Sequence, residues 1–489
     1  MNVEEAIEHC GFGFHQFVIF LITLLSYIYL GCYASSVVYY QKSIPFVCVD
    51  NINETKSFNF TSECIDGCSK YVYESYNTSI YSAMNLACPP RNIAISISQA
   101  MFSLGLIFFV PFNSHLQERL GRKPVAILSC ILMSLSILVP IAFPNVYAVA
   151  AMRFLSGAIC LALEMSTYIL GMEVIPLRYR SLVSIIYMAG YGLGGILISP
   201  ISYIFEYSWK MQIIAIAAIP QPIAILYILP RWLVYKDRIP EAIDVLNKFK
   251  KENSNVSFSN LKSAAEKNSL TLRETVAELF GKTEMMWLSI TCIMSWNVIN
   301  FIYYGIVYDI GSLSGSIYID GVIIPSAELL VPLNVLFIIR FGRKPVIICF
   351  LILTAVILSL IPIMKEIAFA LEIINSFAGR FCAVSLFDIW WGYQSEVLST
   401  RLRNNGMSLF EGLGKFGSVV APFALQLNKI QFAIPFIIFG IVSLLPIPLI
   451  ILCVPETQNQ PLPENREEMF EIKESQYKLI AQGSSAESK

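Results

Sequence analysis

The chain has 489 residues, of which 56% are hydrophobic and only 14% charged. A water-soluble surface of a chain this long needs more charge than that, so a soluble globular protein is excluded. The net charge of -1 adds nothing about partners.

The N-terminal stretch is short and acidic, with neither a basic flank nor a small-residue cleavage site, so the first span is expected to stay in the mature protein. A membrane helix needs about 20 consecutive apolar residues, because every backbone polar group in hydrocarbon must be satisfied inside the helix. Twelve stretches qualify. Spans 1 to 6 cover Phe14 to Ala34, Ile93 to Phe112, Pro124 to Ile141, Val146 to Ile169, Ser184 to Phe205 and Met211 to Leu229. Spans 7 to 12 cover Met285 to Ile306, Ile317 to Ile339, Pro345 to Ile363, Ile367 to Trp391, Ser408 to Leu427 and Phe432 to Val454. The expected class is an all-α membrane protein.

The loop between spans 1 and 2, residues 42-92, carries glycosylation sequons at Asn53, Asn59 and Asn77 and the cysteines Cys48, Cys64, Cys68 and Cys88. An extracellular loop with two disulfides is expected, and three pairings are open. Lys and Arg gather on the opposite loops, with Arg119, Arg122 and Lys123 after span 2 and Arg340, Arg343 and Lys344 after span 8. By the positive-inside rule both termini and the loop 230-284 are cytoplasmic. A fourth sequon, Asn255-Val-Ser, falls in that loop and should stay bare. The loop suits short amphipathic helices, and the tail 458-489 is polar.

Two motifs recur. Arg119-Leu-Gly-Arg-Lys-Pro124 returns as Arg340-Phe-Gly-Arg-Lys-Pro345, and Glu173-Val-Ile-Pro-Leu-Arg-Tyr-Arg180 returns as Glu396-Val-Leu-Ser-Thr-Arg-Leu-Arg403. Arg153-Phe154 and Arg380-Phe381 form a weaker third pair. Such repetition implies a duplicated six-helix bundle, residues 1-229 and 285-457. Positive-inside topology alone needs basic residues but no fixed spacing. The alternative is a cytoplasmic gate in which Glu173 and Glu396 pair with arginines of the Gly-Arg-Lys-Pro loops and release them on opening. Its expected members are Glu118, Arg119, Arg122, Glu173, Arg180, Arg340, Arg343, Glu396 and Arg403.

These residues resemble the organic cation, organic anion and carnitine transporters of the major facilitator superfamily, solute carrier family 22. The resemblance rests on the loop end Tyr81-Ser-Ala-Met-Asn-Leu-Ala-Cys88, Glu118-Arg-Leu-Gly-Arg-Lys-Pro124, Trp209-Lys210 and Pro230-Arg-Trp-Leu233. Around span 7 it includes Tyr303-Tyr-Gly305, Leu313-Ser-Gly315 and Tyr318, and later Glu396 to Asn404, Pro455-Glu-Thr457 and Leu462-Pro-Glu464. Ser114, Ile339 and Ser399 depart from the family pattern. The N-terminal Val3-Glu-Glu-Ala-Ile7 and Gly11-Phe-Gly13 are also similar to the synaptic vesicle glycoprotein 2-related branch, which lacks the disulfide loop. The resemblance implies a major facilitator fold, a plasma membrane location and alternating access to one central site. A non-transporting receptor or scaffold of the second branch is the alternative, and a sugar porter the third choice, since Trp296-Asn297 stands where sugar porters place paired glutamines.

Ionisable residues inside spans are costly and point to function. They are Glu164 in span 4, Glu328 in span 8, Arg380 and Asp388 in span 10, and Glu411 and Lys415 in span 11. Glu411 and Lys415, four residues apart, can simply pair with each other. Cation-transporting relatives usually carry Asp at the position of Lys415, and anion and carnitine carriers Arg, so the resemblance favours a substrate with a negative group. Asp388, eight residues after Arg380, lies near the same helical face and with Lys415 could hold a zwitterion; an internal salt bridge competes evenly with that reading. Trp296, Tyr303 and Tyr304 can line the cavity or stack on a cationic head, although for any single aromatic packing is the commoner role. The expected partners are a small organic ion, membrane lipid and, in a coupled carrier, an ion, with no nucleic acid. No cofactor or metal is expected, because the only histidines, His9, His15 and His115, lie near membrane edges. The lack of a phosphate-binding Gly-rich loop argues against an ATP-driven pump, and enzyme readings fail in the same way.

Overall fold

The computed structural model describes residues 13–49, 60, 64–65, 68, 71–88, 91–219, 272–309, 316–399 and 402–458. Among these, ten helices are long and apolar enough to cross a membrane. Of the sixth span, the described residues hold the helix Trp209–Ala218, and residues 220–229 lie outside them. The eleventh differs from the continuous helix expected. It comes in two pieces, Arg403–Gly414 and Phe416–Leu425, that meet at Lys415. The protein is a multi-pass membrane protein with the major facilitator architecture of two six-helix bundles.

The sequence repeat is also a repeat of backbone geometry. Span 2 ends at Leu120 and span 3 starts at Arg122, with Gly121 between them at φ 87°. Span 8 ends at Phe341 and span 9 starts at Arg343, with Gly342 at φ 90°. That left-handed region costs glycine nothing and other residues strain, so the Gly of each Gly-Arg-Lys-Pro loop lets one helix end and the next begin. Pro124 and Pro345 then fall in the first turn, where a missing N–H breaks no helical bond.

The chain forms two compact units, Met1–Glu266 with Ser316–Pro325, and Lys267–Gly315 with Ser326–Lys489. In the first, spans 1 and 5 touch backbone to backbone. A Cβ on Gly31 would sit 2.0 Å from the Tyr191 carbonyl oxygen, and one on Gly194 equally close to that of Ile28. With lipid tails as apolar as Leu, close van der Waals contact between small residues is what joins helices in a membrane. The same unit holds the first part of span 8: Lys42 Nζ lies 3.0 Å from the Tyr318 hydroxyl and 3.2 Å from Glu206, while Ser199 donates to the Tyr318 carbonyl at 2.6 Å. The second unit is built on a core of Trp296, Leu386, Trp390, Tyr393 and Phe410.

The loop after span 1 pairs Phe46–Cys48 with Tyr71–Tyr73 as two antiparallel strands. Its disulfides join Cys48 to Cys68 and Cys64 to Cys88, which selects one of the three pairings. Phe46, Tyr71, Tyr73, Tyr76 and Tyr81 form a connected aromatic cluster in the same loop. Asn77 is exposed, and its carbonyl accepts the Trp209 N–H at 2.8 Å. Asn53, Asn59 and Asn255 lie outside the described residues.

Candidate functional site

Four elements of the second unit bring its ionisable residues together: span 7 (Thr283–Tyr308), the part of span 8 from Ser326 onward, span 10 (Phe369–Val397) and span 11. Span 8 is irregular where it matters. From Ala327 to Leu333 it winds as a 3₁₀ helix, because Pro332 has no N–H for the carbonyl of Glu328 four residues earlier. That stretch carries Glu328 into contact with Arg380 of span 10. The two form an ion pair, and both are buried, at 5% and 3% exposure. Tyr303 of span 7 completes the group. Its hydroxyl donates to Glu328 Oε1 at 3.1 Å, its carbonyl accepts from Arg380 Nη1 at 3.3 Å, and its ring centre lies 4.0 Å from the guanidinium carbon. The carboxylate and guanidinium thus meet charged, hydrogen-bonding and cation–π partners at once, the condition under which buried charges are tolerated.

The second ion pair joins Lys415 and Glu411, with Nζ 3.4 Å from Oε1. It sits at the interruption of span 11, and both residues are buried. Phe387 connects the two pairs. Its ring lies 5.4 Å from Lys415 Nζ, 5.6 Å from the ring of Tyr303 and 4.9 Å from that of Trp296. The sequence reading passed over this residue, yet the signal was present: at about 100° per residue, position 387 returns to within about 20° of Arg380, whereas position 388 is displaced by about 80°.

That displacement sets the place of Asp388. Asn334 and Arg343 are among the groups it interacts with, while the ion-pair partner of Lys415 is Glu411. Tyr304 is buried and stacks edge-on against Tyr303, 5.3 Å away. Trp296 is wholly buried between Phe387 and Trp391. Glu164 is half-buried on span 4 of the first unit.

Of the expected gate residues, Arg343 and Glu396 form an ion pair. Glu456 of the Pro-Glu-Thr motif braces the same turn, accepting the Arg343 and Lys344 N–H groups at 3.0 and 2.9 Å. Arg403 reaches the Leu398 carbonyl at 3.5 Å. Arg119 and Arg340 are exposed and Arg122 is half-buried. The side chains of Glu118, Glu173 and Arg180 lie outside the described residues.

The helices, with two ion pairs buried inside their spans, have a fold shared by solved structures. The xylose transporter XylE from E. coli in its inward-open conformation superposes with a TM-score of 0.66 at 18% identity, covering 91% of this chain and 98% of that one. A D-xylose-proton symporter gives 0.64 at 15% identity, covering 91% and 99%. With the family model and the relatives that follow, this is a membrane transporter of the major facilitator fold. The model of the sugar (and other) transporter family matches residues 12–470, and the chain belongs to that family.

The curated relatives bear out the resemblance read from the motifs. Solute carrier family 22 member 3 of Mus musculus is 28% identical over 411 residues, 83% of this chain and 74% of that protein. Organic anion transporter 3 of Oryctolagus cuniculus is 27% identical over 429 residues, 84% and 77%. An organic cation transporter protein of Drosophila melanogaster is 25% identical over 450 residues, 88% and 79%.

Proposed function

We propose that this transporter moves small organic ions, with anions or zwitterions favoured, across the plasma membrane by alternating access. The observation that carries the reading is the Lys415–Glu411 pair, buried in a span beside the ring of Phe387. A substrate carboxylate takes the place of Glu411 on Lys415, and its apolar body rests on Phe387 and Tyr303. The ammonium of lysine is a compact charge without the planar fork of arginine, so the site accepts carboxylates of varied orientation. The Glu328–Arg380 pair stays closed on itself and shapes the cavity wall. Because the Lys415–Glu411 pair is neutral in itself, a zwitterion sets its carboxylate on Lys415 and its cation on the released Glu411, leaving no uncompensated charge in the membrane interior.

In this reading both termini are cytoplasmic and the loop 42-92 is extracellular. The Arg343–Glu396 pair, braced by Glu456, belongs to the cytoplasmic gate and opens when substrate is released inward. Related proteins are named for organic anions and for organic cations, and Lys415 is the residue assigned to the choice between them.

Saturable uptake into oocytes or vesicles, screened across carboxylates, zwitterions and quaternary amines, tests the proposal. Expected is concentration-dependent uptake of a carboxylate or betaine that a quaternary amine inhibits weakly. No uptake of any class at verified surface expression overturns it in favour of a receptor.

A further inference from the structure

The hydrogen-bond ladder of span 11 loses a rung around Lys415, which itself keeps helical φ and ψ and bonds its N–H to the Glu411 carbonyl at 3.1 Å, and the cause lies in another helix. In an uninterrupted α-helix the N–H of residue 417 bonds to the carbonyl of residue 413. Here the side-chain amide of Asn297, on span 7, occupies both. Its Oδ1 accepts the Gly417 N–H at 2.9 Å, and its Nδ2 donates to the Leu413 carbonyl at 3.2 Å and to the Ile293 carbonyl of its own helix at 2.8 Å. Only one orientation of the amide satisfies a donor and two acceptors, so its direction is fixed. Close approach of the helices makes this reach possible: a Cβ on Gly417 would lie 1.9 Å from the Asn297 carbonyl oxygen, and one on Gly414 would lie 2.2 Å from Trp296 Cβ. A side chain inserted into the hydrogen-bond ladder is a known cause of helix kinks.

The insertion brackets a single residue of the proposed site. Leu413 and Gly417 stand two positions before and after Lys415, which ends one helical piece and begins the next. The Lys415 carbonyl is held by the Ser418 hydroxyl at 2.6 Å, so the turn is pinned on both of its faces. We propose that Asn297 is a positioning residue for substrate-charge selection: its amide holds span 11 open at Lys415 and so aims the ammonium across Phe387. This rests on the assignment of Lys415 to the substrate site. Asn297 itself touches no substrate in this scheme.

The experiment is a cycle of Lys415→Ala, Asn297→Ala and the double variant, read as the ratio of kcat/KM for benzoate to that for tetraethylammonium. That ratio does not depend on how much protein reaches the surface, so a loss of folded protein leaves it unmoved. Removing the amide lets the 417-to-413 bond close directly and turns Lys415 away. Asn297→Ala is expected to lower the ratio by about tenfold, the effect of about 1.4 kcal/mol of lost discrimination, and the double variant to go no lower than Lys415→Ala alone. Asn297→Gln keeps donor and acceptor and should retain most of the ratio, whereas Asn297→Asp sets a carboxylate oxygen against two carbonyls and should lose it. If Asn297→Ala does not reach the surface, this last pair carries the test, and equal ratios overturn the proposal. A shift in Lys415→Ala with none in Asn297→Ala, or additive shifts in the double variant, also overturns it while leaving the assignment of Lys415 intact. No shift in Lys415→Ala removes that assignment and the inference with it.

Discussion

Replacing Glu328 with Gln would leave the guanidinium of Arg380 buried with no carboxylate beside it. The side chains of the pair are only 4% and 6% exposed, so water cannot enter to replace the lost partner. Tyr303 keeps its ring and carbonyl on the cation but loses the charged acceptor for its own hydroxyl. Breaking a buried pair from one side costs about 3–5 kcal/mol, more than a typical point mutation. For a domain of roughly 150–250 residues each kcal/mol moves the midpoint of unfolding by about 2–4 °C, so a fall of about 6 °C or more is expected. The assay is the thermal stability of detergent-solubilised protein, read by size-exclusion after heating. Arg380→Gln should fall similarly. The double variant Glu328→Gln with Arg380→Gln, which buries no lone charge, should recover more than half of the loss. Single variants that melt within about 1 °C of wild type, or a double variant whose loss is the sum of the two, would refute the coupling inferred from the geometry.

Lys415→Asp places a second carboxylate beside Glu411 and should shift uptake preference from carboxylates to quaternary amines; an unchanged substrate profile at verified surface abundance removes Lys415 from the site. Gly417→Ala forces a methyl against the Asn297 carbonyl, and overpacking of about 1–3 kcal/mol should lower thermal stability, so a wild-type melt would show that spans 7 and 11 yield more easily than their contact implies. Glu396→Gln opens the Arg343 pair, which is about a quarter exposed; screening keeps the stability change below about 1 kcal/mol while transport falls, and wild-type uptake would dismiss the gate. In the disulfide-bonded loop, burial raises the phenols of Tyr73 and Tyr81. A folded pKa above the unfolded value of about 10 means that their stabilisation is complete below pH of about 10 and is lost as pH climbs through the folded values. Protease sensitivity of the loop should therefore rise only in that alkaline range, and sensitivity appearing at neutral pH would contradict it.

Much of the fold was legible because membrane crossing imposes length and apolarity that any window of sequence reveals. The repeat was equally plain, and Gly121 and Gly342 show that the shared motif encodes one backbone turn used twice. Within the candidate site, charge inside a span singled out Glu328, Arg380, Glu411 and Lys415, and the structure joins them in two ion pairs. The Glu411–Lys415 pair could be read from its spacing, while the Glu328–Arg380 pair joins positions 52 residues apart and could not. Asp388 was placed on the face of Arg380, whereas helical phase gives that place to Phe387. The interruption of span 11 left no local trace beyond Gly414 and Gly417, since the group that splits it arrives from position 297. Four cysteines admit three pairings without preference, and only the three-dimensional arrangement selects among them.

That arrangement bears on how the protein can be made. The bridges interlace, because Cys64 lies between Cys48 and Cys68 while its own partner is Cys88. During synthesis three thiols emerge before the fourth, and Cys64 is free to capture either neighbour until Cys88, at the threshold of span 2, has been translated. Correct pairing then depends on thiol–disulfide exchange that undoes early mispairs. A host rich in disulfide isomerase should yield a single species on a non-reducing gel, and one poor in it a ladder of mispaired chains.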